Sequence, residues 1–374
     1  MSGPRVVVLN AGSSSLKFGL FEGDARVAGG TIDRIASGGA DGALGAALER
    51  LEPQGGLKGV VAVGHRIVHG GSDFVRPTRL DATALQKLHR LEPLDPDHLP
   101  SELAIVRAVA ERAPELVQVG CFDTAFHASL PRAARIIAIP RRFEERGVRR
   151  YGFHGLSYQY QLEELERVGG TAAAHGRVVM AHLGAGASLA ATRDGTCVDT
   201  TMSFTPNSGI PMATRSGDLD AGLVTYLLRS ENLGVEALDA MLTKESGLLG
   251  VSGVSADMRD LLARAVSDRA CADAVAFYCY SVRKAIGALA ATIDGLETLV
   301  FAAGIGENAP VVRSRICAGL SHLGVALDDA RNAANEPVIS ADGSRCTVRV
   351  VHTNEELVIA RETFRLVKPE GKSP

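Results

Sequence analysis

The sequence lacks a strong net charge, a long apolar run and a signal-like beginning. Its formal charge is −3 at pH 7, so no basic field attracts nucleic acid from a distance. No apolar stretch approaches the roughly 20 residues that a membrane helix needs, and no charged-then-apolar segment opens the chain. We therefore expect a cytoplasmic protein that acts neither on nucleic acid nor in a membrane. Any anion it binds must be held by individual Arg, Lys and His side chains.

Cysteine is scarce and scattered. The six cysteines form no C-x-x-C pair and lie at Cys121, Cys197, Cys271, Cys279, Cys317 and Cys346. This spacing suits neither a zinc site nor a disulfide scaffold. The simplest expectation is six reduced thiols, which agrees with a cytoplasmic protein.

What the sequence does contain is an alternation of short β-like runs with Ala-, Leu- and Arg-rich helical stretches. This alternation predicts an α/β fold, and 374 residues are enough for two domains. The predicted strands are Val6–Leu9, Val60–Val63, Val117–Phe122, Val178–Ala181, Leu299–Ala303 and Val348–Val351. The predicted helices are Leu80–Leu91, Ser101–Arg112, Ala270–Ile293 and Glu355–Val367. Residues Ala36–Gly56 read as a loop-rich connection around one short helix.

Two Gly-rich stretches resemble each other. "VVVLNAGSSSL" (Val6–Leu16) and "VVMAHLGAGASL" (Val178–Leu189) each place a polar residue after an apolar strand, then a glycine, small residues and a leucine. The similarity predicts two strand–turn–strand units in duplicated domains, with chance similarity between Gly-rich turns as the alternative. The serines and lysine of the first turn suit either a polar hairpin loop or a phosphate-binding turn.

"VGHRIVHGG" (Val63–Gly71) places an arginine and a valine two residues apart at a strand end. Strand alternation predicts Arg66 and Val68 on one face, with His65 and His69 on the other. A forked guanidinium beside an apolar side chain suits a small molecule with a carboxylate at one end and a methyl group at the other. A surface salt bridge is the alternative role for Arg66.

Three further segments carry candidate polar side chains. Asp123 directly follows a predicted strand, where carboxylates either line ligand crevices or cap helices. His154 lies between an aromatic residue and a glycine in "RRYGFHG". Arg215 lies in the irregular, Pro- and Gly-rich segment 204–220, and long irregular segments of compact domains are often functional.

Two candidate binding turns lie near the C-terminus. "VFAAGIGENAPVVRSRI" predicts a strand, a Gly-x-Gly turn and a helix, with close backbone approach to a flat or phosphorylated ligand at the two glycines. In "HTNEELVIARET", Thr353 and Glu356 fit a capping box. Glu355 is then either a metal ligand or an ordinary first-turn acid. Together with the arginines and His154, these turns fit phosphoryl transfer, in which a protein mainly positions groups and neutralises charge.

The ordered motifs resemble the acetate kinase family, within the superfamily of sugar kinases and actin-like ATPases. The resemblance spans nearly the whole chain through "LNAGSSSLKF", "GHRIVHGG", "FDTAFH", "YGFHG", "HLGAG", "FTP", "TRSG", "GVSGVSADMRDL", "AGIGEN" and "TNEELVIARET". It implies two duplicated actin-like (ribonuclease H-like) domains facing each other across a cleft, and a homodimer. The implied N-terminal domain is 1–124 plus 357–374, with a returning C-terminal helix. The implied nucleotide-binding domain is 125–356.

The resemblance also implies a reaction and its residues. The reaction is acetate + ATP ⇌ acetyl phosphate + ADP with Mg²⁺, or Mn²⁺ in its place, for which we favour direct in-line transfer. The implied catalytic residues are Arg66, Asp123, His154 and Arg215, and the implied metal ligands are Asn10 and Glu355. The acyl pocket is implied to comprise Val68, Leu94, Phe153 and Pro206, with Arg66 binding the substrate. The phosphates and adenosine are assigned to Ser13, Ser15, Lys17, His182, Gly184, Gly186, Asp257, Met258, Arg259, Gly304, Ile305, Gly306, Glu307 and Asn308.

Four departures separate this sequence from the family pattern. They are Asp95 for a histidine, Leu156 and Tyr158 for Thr and His, Ala185 for an asparagine near the γ-phosphate, and Asn207–Ser208 for Leu-Glu. Two alternatives therefore stay open. One is a kinase for propionate or another short acyl chain, and the other is a catalytically weakened, nucleotide-binding regulatory homologue.

Overall fold

The chain divides into two compact units, Met1–Ala128 with Asn354–Pro374, and Ser129–Thr353. The structure, a computed structural model, describes residues 3–12, 15–33 and 39–367. Each unit has one β-sheet with helices packed on it, which confirms the predicted α/β class. The domain limits predicted from the sequence, 124/125 and 356/357, lie beside these unit limits and stay a prediction.

Strands and helices alternate along the described chain. The strands are β1 (Arg5–Ala11), β2 (Ser15–Glu22), β3 (Ala25–Asp33), β4 (Val60–Ile67), β5 (Thr78–Arg79), β6 (Val117–Phe122), β7 (Val178–Leu183), β8 (Ala187–Arg193), β9 (Thr196–Thr200), β10 (Thr298–Ala302) and β11 (Thr347–Val350). The helices are α1 (Gly39–Leu51), α2 (Ala82–His89), α3 (Leu99–Arg112), α4 (Arg132–Arg135), α5 (Gly155–Gly169), α6 (Thr171–His175), α7 (Ala221–Ser230), α8 (Val235–Lys244), α9 (Gly247–Ser252), α10 (Met258–Arg264), α11 (Arg269–Thr292), α12 (Ala303–Asn308), α13 (Pro310–Cys317), α14 (Asp329–Ala333) and α15 (Glu355–Val367). None of the helices in these described ranges is both long and apolar enough to cross a membrane.

The first unit is built on a six-stranded sheet in the order β3-β2-β1-β4-β6-β5. Strands β1, β4 and β6 are parallel, while β1 and β2 form an antiparallel hairpin. Helices α1 and α3 bury their apolar stripes with β1 and β2 in one core cluster, which includes Leu9, Phe18, Leu44 and Val109. Helix α15 packs on β1 and β4. The helix can lie this close to β4 only because residue 64 is glycine, since a Cβ there would collide with Thr363 and Ile359.

The second unit is built on a five-stranded sheet in the order β11-β10-β7-β8-β9. Strands β7, β10 and β11 are parallel, and β8 is antiparallel to both β7 and β9. The long helix α11 starts where the Asp268 carboxylate accepts the free N–H groups of Ala270 and Cys271. The buried face of this helix packs on β8.

The two sheets share one topology. Reading β9-β8-β7-β10-β11 against β3-β2-β1-β4-β6 gives the same strand order and the same parallel and antiparallel pairs. The two Gly-rich stretches that resemble each other occupy equivalent places, the β1–β2 hairpin and the β7–β8 hairpin. The similarity between them is therefore structural, as the sequence predicts.

Three sequence predictions need correction. The segment predicted as a loop-rich connection contains α1, a helix of 13 residues; residues 36–38 of that segment lie outside the described ranges. Gly304 and Gly306 lie in the short helix α12, and the left-handed residue at its start is Ala303 (φ 63°). The N–H of Leu357 is capped by Asn354 Oδ1 at 3.1 Å, so the α15 cap lies one residue beyond Thr353. Glu356 instead pairs with Arg26 at 3.1 Å.

Candidate active site

A buried ion pair joins the ends of two adjacent parallel strands in the first unit. Arg66 lies near the end of β4 and Asp123 directly follows β6. The carboxyl ends of parallel strands meet at one sheet edge, where α/β proteins bind ligands. Arg66 Nε and Nη2 donate to Asp123 Oδ2 at 3.1 and 2.6 Å. The Arg66 side chain is 16% exposed, so it is not fully enclosed by the protein.

A third group in this cluster is Glu102, which the sequence analysis missed. Its Oε2 accepts the Val68 N–H at 2.9 Å, and its Oε1 lies 3.7 Å from Arg66 Nη1. Glu102 lies on the buried stripe of α3 with Leu99, Leu103 and Val106. An acid inside an apolar stripe of helical spacing is the sequence signal that would have found it.

Burial and charge act in opposite directions on this cluster. Burial alone would lower the pKa of Arg66, but the charges of Asp123, Glu102 and Glu355 hold that pKa above its usual range. Burial raises the pKa of Glu102 to about 8, against the opposing effects of Arg66 and the Val68 amide. Arg66 therefore stays a cation at neutral pH, and it is the positive centre of an otherwise acidic site.

The other predicted residues of the first unit lie on the β1–β2 hairpin and at the start of α15. Asn10 and Lys17 are cross-strand partners, and Gly12 N–H donates to Ser15 O at 2.8 Å to close the turn. Glu355 is the first residue of α15 and acts electrostatically on Arg66. Ser13 lies outside the described residues.

Leu94 and Asp95 lead into α3. Half-buried Leu94 ends a single 3₁₀ turn, Glu92–Leu94. Asp95, which departs from the family pattern, is buried; its Oδ1 accepts the His98 N–H at 3.1 Å and lies 2.8 Å from His98 Nδ1. Asp95 thus shapes the turn before α3, and its charge adds to the acidic surroundings of Glu102.

In the second unit, the two predicted histidines are stacked. His154 has a left-handed backbone (φ 58°) directly before α5 and follows fully buried Phe153. Its ring lies 4.3 Å from that of His182 at the end of β7. His182 Nδ1 is 2.7 Å from Ser157 Oγ. A strained backbone at a non-glycine residue is common at functional sites.

Tyr158, a second departure, supports the same histidine. Ser188 Oγ lies 2.8 Å from His154 Nδ1 and 2.5 Å from the Tyr158 hydroxyl. Burial raises the pKa of Tyr158 far above its usual range, so the phenol stays protonated. Leu156, the other residue of this departure, is buried. The contacts of Tyr158 and Ser188 thus fix the ring orientation of His154.

Arg215 reaches the same side chains from the irregular segment. Arg215 Nη1 donates to Pro206 O at 2.8 Å, which ties the two predicted residues together. A Cβ added at Gly186 would lie 2.8 Å from Arg215 Nη2 and 3.3 Å from His154 Nε2. The structure therefore gathers His154, His182, Gly186 and Arg215 within the second unit, and Gly186 is required for this close packing.

A cavity of about 590 Å³ in the second unit gathers seven of the fourteen residues predicted to hold the phosphates and adenosine. Volumes of 300–1,000 Å³ are typical of small-molecule sites. Residues predicted from the sequence that line it are Gly184, Asp257, Met258, Arg259, Gly304, Ile305 and Asn308; the departure Ala185 also lines it. The Asp257 carboxylate caps α10 through the Arg259 N–H and pairs with the Arg259 side chain at 2.6 Å.

Glu307 and Gly306 do not line this cavity. Glu307 Oε1 accepts the Ala303 N–H at 2.9 Å and the Thr353 N–H at 3.1 Å, and Oε2 lies 2.8 Å from His352 Nδ1. Fully buried Arg313 donates to the carbonyls of Gly306 and Glu307 at 2.8 and 3.0 Å. Glu307 and Arg313 thus fix the two ends of α12, which lies at the cavity wall.

Comparison with known proteins agrees with this arrangement. The model of the acetokinase family matches residues 31–361. The chain belongs to this family. An acetate kinase from Rhodopseudomonas palustris (strain TIE-1) is 41% identical over 96% of this chain and 98% of that protein. One from Rhizobium meliloti is 43% identical over 97% of this chain and 98% of that protein.

Solved structures of the family superpose over nearly the full length. The acetate kinase of Porphyromonas gingivalis has a TM-score of 0.91 at 34% identity, covering 98% of this chain and all (100%) of that one. A propionate kinase from Francisella tularensis subsp. tularensis SCHU S4 has a TM-score of 0.92 at 33% identity. The match covers 97% of this chain and 100% of that one. Solved kinases named for acetate and for propionate thus both share this fold.

Proposed function

We propose that this acetokinase family member is a phosphotransferase that moves the γ-phosphoryl group of ATP to acetate, reversibly giving acetyl phosphate and ADP. One observation carries the proposal. The cavity of about 590 Å³ is lined by seven residues that the sequence analysis assigns to nucleotide binding. Those residues come from separate stretches of sequence, 184, 257–259 and 304–308, so their convergence is a property of the fold.

The proposed chemistry is one in-line displacement. A carboxylate oxygen of acetate attacks the γ-phosphorus, a new P–O bond forms, and the bond to the β,γ-bridging oxygen breaks as ADP leaves. Acetate is already ionised at neutral pH, so no general base is needed. The barrier is repulsion between two anions, and Arg66, Arg215 and His154 are the groups that offset it.

Asp123 then serves best as an orienting group. Its Oδ2 already accepts two N–H groups of Arg66, so it fixes the guanidinium plane instead of abstracting a proton. Val68, Leu94, Phe153 and Pro206 would enclose the acyl chain. Ser13, Ser15, Lys17, His182, Gly184 and Gly186 would contact the phosphates.

Magnesium, or manganese in its place, is the proposed metal. Within the described residues no cluster of three His, Cys, Asp or Glu side chains forms a metal cage. Magnesium bound with ATP needs only one or two protein oxygens, because phosphates and water supply the rest. The amide oxygen of Asn10 and the carboxylate of Glu355 fit that donor set. When bound, the ion would neutralise charge on the phosphates.

An assay with hydroxylamine, which traps acyl phosphates as hydroxamates, tests the proposal. The full chain is incubated with Mg²⁺ and acetate, propionate or butyrate, each with ATP or pyrophosphate. We expect acetyl hydroxamate with ATP, and propionate to react with a kcat/KM about 10- to 200-fold lower, since one methylene is worth about 1–3 kcal/mol. A preference for propionate would favour the short-chain alternative. ATP binding without any hydroxamate would favour the regulatory alternative. Two departures motivate it, Asp95 and Ala185, whose methyl group cannot donate a hydrogen bond.

We also propose that two copies associate through the second unit. Phe277 and Tyr280 lie three residues apart on α11 and are 46% and 61% exposed. They border a groove of about 390 Å³ that Ile210 and Pro211 also line. Exposed aromatic side chains are enriched at protein interfaces. Light scattering should give twice the chain mass of 39.2 kDa, and Tyr280→Glu should give the monomer mass.

The cytoplasm is the proposed compartment. All six cysteines are buried, and they form no disulfide, as expected where thiols stay reduced. ATP, the proposed co-substrate, is also supplied there.

The two units are in turn proposed as the duplicated domains, with limits at 124/125 and 356/357.

A further inference from the structure

Glu102 is a buried acid that the proposed reaction does not use directly. It lies in the first turn of α3, where it is 1% exposed and its neighbours on the helix are apolar. An acid in the first helical turn is stabilised by the helix dipole even when it stays in water. The dipole alone therefore does not explain why this carboxyl is buried, and burying it carries a desolvation cost.

The contacts of Glu102 connect two residues of the proposed substrate site. Oε2 accepts the backbone N–H of Val68 at 2.9 Å, and Oε1 lies 3.7 Å from Arg66 Nη1. The opposite edge of the same guanidinium, Nε and Nη2, donates to Asp123. Arg66 is thus held between two acids, and Glu102 also holds the backbone of Val68.

The Oε1 atom of Glu102 is buried and has no hydrogen-bond partner among the described residues. Burial raises the pKa of this carboxyl to about 8. The 3.7 Å separation from Arg66 is too long for a direct hydrogen bond. The contact with Val68 is therefore the directional one, and the position of the carboxyl fixes Val68 N relative to the guanidinium.

We propose that Glu102 is a positioning residue that sets the separation between the Arg66 guanidinium and the Val68 side chain, and thereby selects the acyl chain length. The inference rests on the proposed function, in which Arg66 binds the carboxylate and Val68 limits the chain. Without the carboxyl oxygen, the Val68 N–H loses its acceptor and the segment after β4 relaxes. The pocket then holds acetate less tightly and discriminates less against propionate.

The test uses Glu102→Leu and Glu102→Gln in the full chain, with kcat and KM measured for acetate, propionate and ATP. Leucine has a similar volume but no acceptor. We expect Glu102→Leu to raise the KM for acetate and to lower the acetate-to-propionate ratio of kcat/KM about tenfold, the effect of losing one hydrogen bond. The KM for ATP should not change. Glutamine keeps a carbonyl oxygen for Val68 and should restore the parent ratio.

Glu362→Gln is the matched control, because Glu362 is a buried acid of the same unit that pairs with Arg365 at 2.8 Å. It should leave the acyl ratio unchanged. A folded Glu102→Leu variant that keeps the parent acetate-to-propionate ratio of kcat/KM overturns the proposal. So does a variant in which kcat/KM falls equally for acetate, propionate and ATP. If Glu102→Leu does not fold, Glu102→Asp decides: its shorter side chain must shift the ratio, and an unchanged ratio overturns the proposal. Failure of the parent to phosphorylate either acid would instead contradict the proposed function.

Discussion

Replacing Arg66 with alanine should lower kcat/KM for acetate by about 10³- to 10⁵-fold, the range for an arginine that neutralises charge during phosphoryl transfer. Arg66 is a cation, and the charges of Asp123, Glu102 and Glu355 raise the pKa of its guanidinium. Without it, the acetate carboxylate meets acidic groups with no guanidinium to bind. Initial rates over a series of acetate concentrations at saturating MgATP measure the effect.

The same change also removes one partner of a buried ion pair, which typically costs about 3–5 kcal/mol of folding free energy. Thermal unfolding must therefore accompany the kinetics. Arg66→Lys keeps the charge but not the two-point contact with Asp123. Its kcat/KM for acetate should therefore be about 10- to 100-fold lower than that of the parent. Arg79→Ala, at an exposed arginine of the same unit, is the control. A folded Arg66→Ala enzyme within tenfold of the parent would remove Arg66 from the substrate site.

Local sequence patterns were sufficient to predict several strands and helices of the fold. β6 occupies the predicted residues 117–122, and α15 the predicted residues 355–367. Their apolar and amphipathic periods are uninterrupted, so the period alone identifies each element. The sequence pattern underestimates helix α1 because Gly39, Gly42 and Gly45 lie in its first half, and glycine has a low intrinsic helix propensity. Its burial against the sheet, through Ala43, Leu44 and Ala47, decides the outcome.

Residues of the candidate site were predictable where a charged side chain lies at the end of a predicted strand. Arg66 and Asp123 were each selected because they lie at the end of an apolar strand, and adjacent parallel strands bring them into contact. Glu102 was missed because it approaches Val68 from a helix 34 residues away in sequence. The turn containing Gly304 was misread for a related reason. Its helical conformation is supported from outside residues 303–308, because Arg313 donates to the Gly306 carbonyl and the Thr353 N–H donates to the Glu307 carboxylate.

Replacing Arg215 with alanine should lower kcat by about 10³- to 10⁵-fold, with a smaller effect on the KM for acetate. Arg215 is fixed to the Pro206 carbonyl at 2.8 Å, and its guanidinium reaches the β7–β8 turn beside Gly186. In the transition state the charge of the transferred phosphoryl group is spread over its three equatorial oxygens. A group that binds this arrangement more tightly than the ground state acts mainly on kcat. Single-turnover measurements with MgATP and acetate separate this step from product release.

Gly186→Ala tests the same geometry without removing the arginine. The new Cβ would lie 2.8 Å from Arg215 Nη2 and 3.3 Å from His154 Nε2, so the arginine must move. A displacement of about 1 Å in a positioned group can cost about 100-fold in rate. Gly287→Ala, where a Cβ meets no atom within 4 Å, and Arg269→Ala, at an arginine with a 94% exposed side chain, are the controls. If Arg215→Ala and Gly186→Ala both fold and keep kcat within tenfold of the parent, Arg215 does not stabilise the transferred group, and the charge must be neutralised elsewhere.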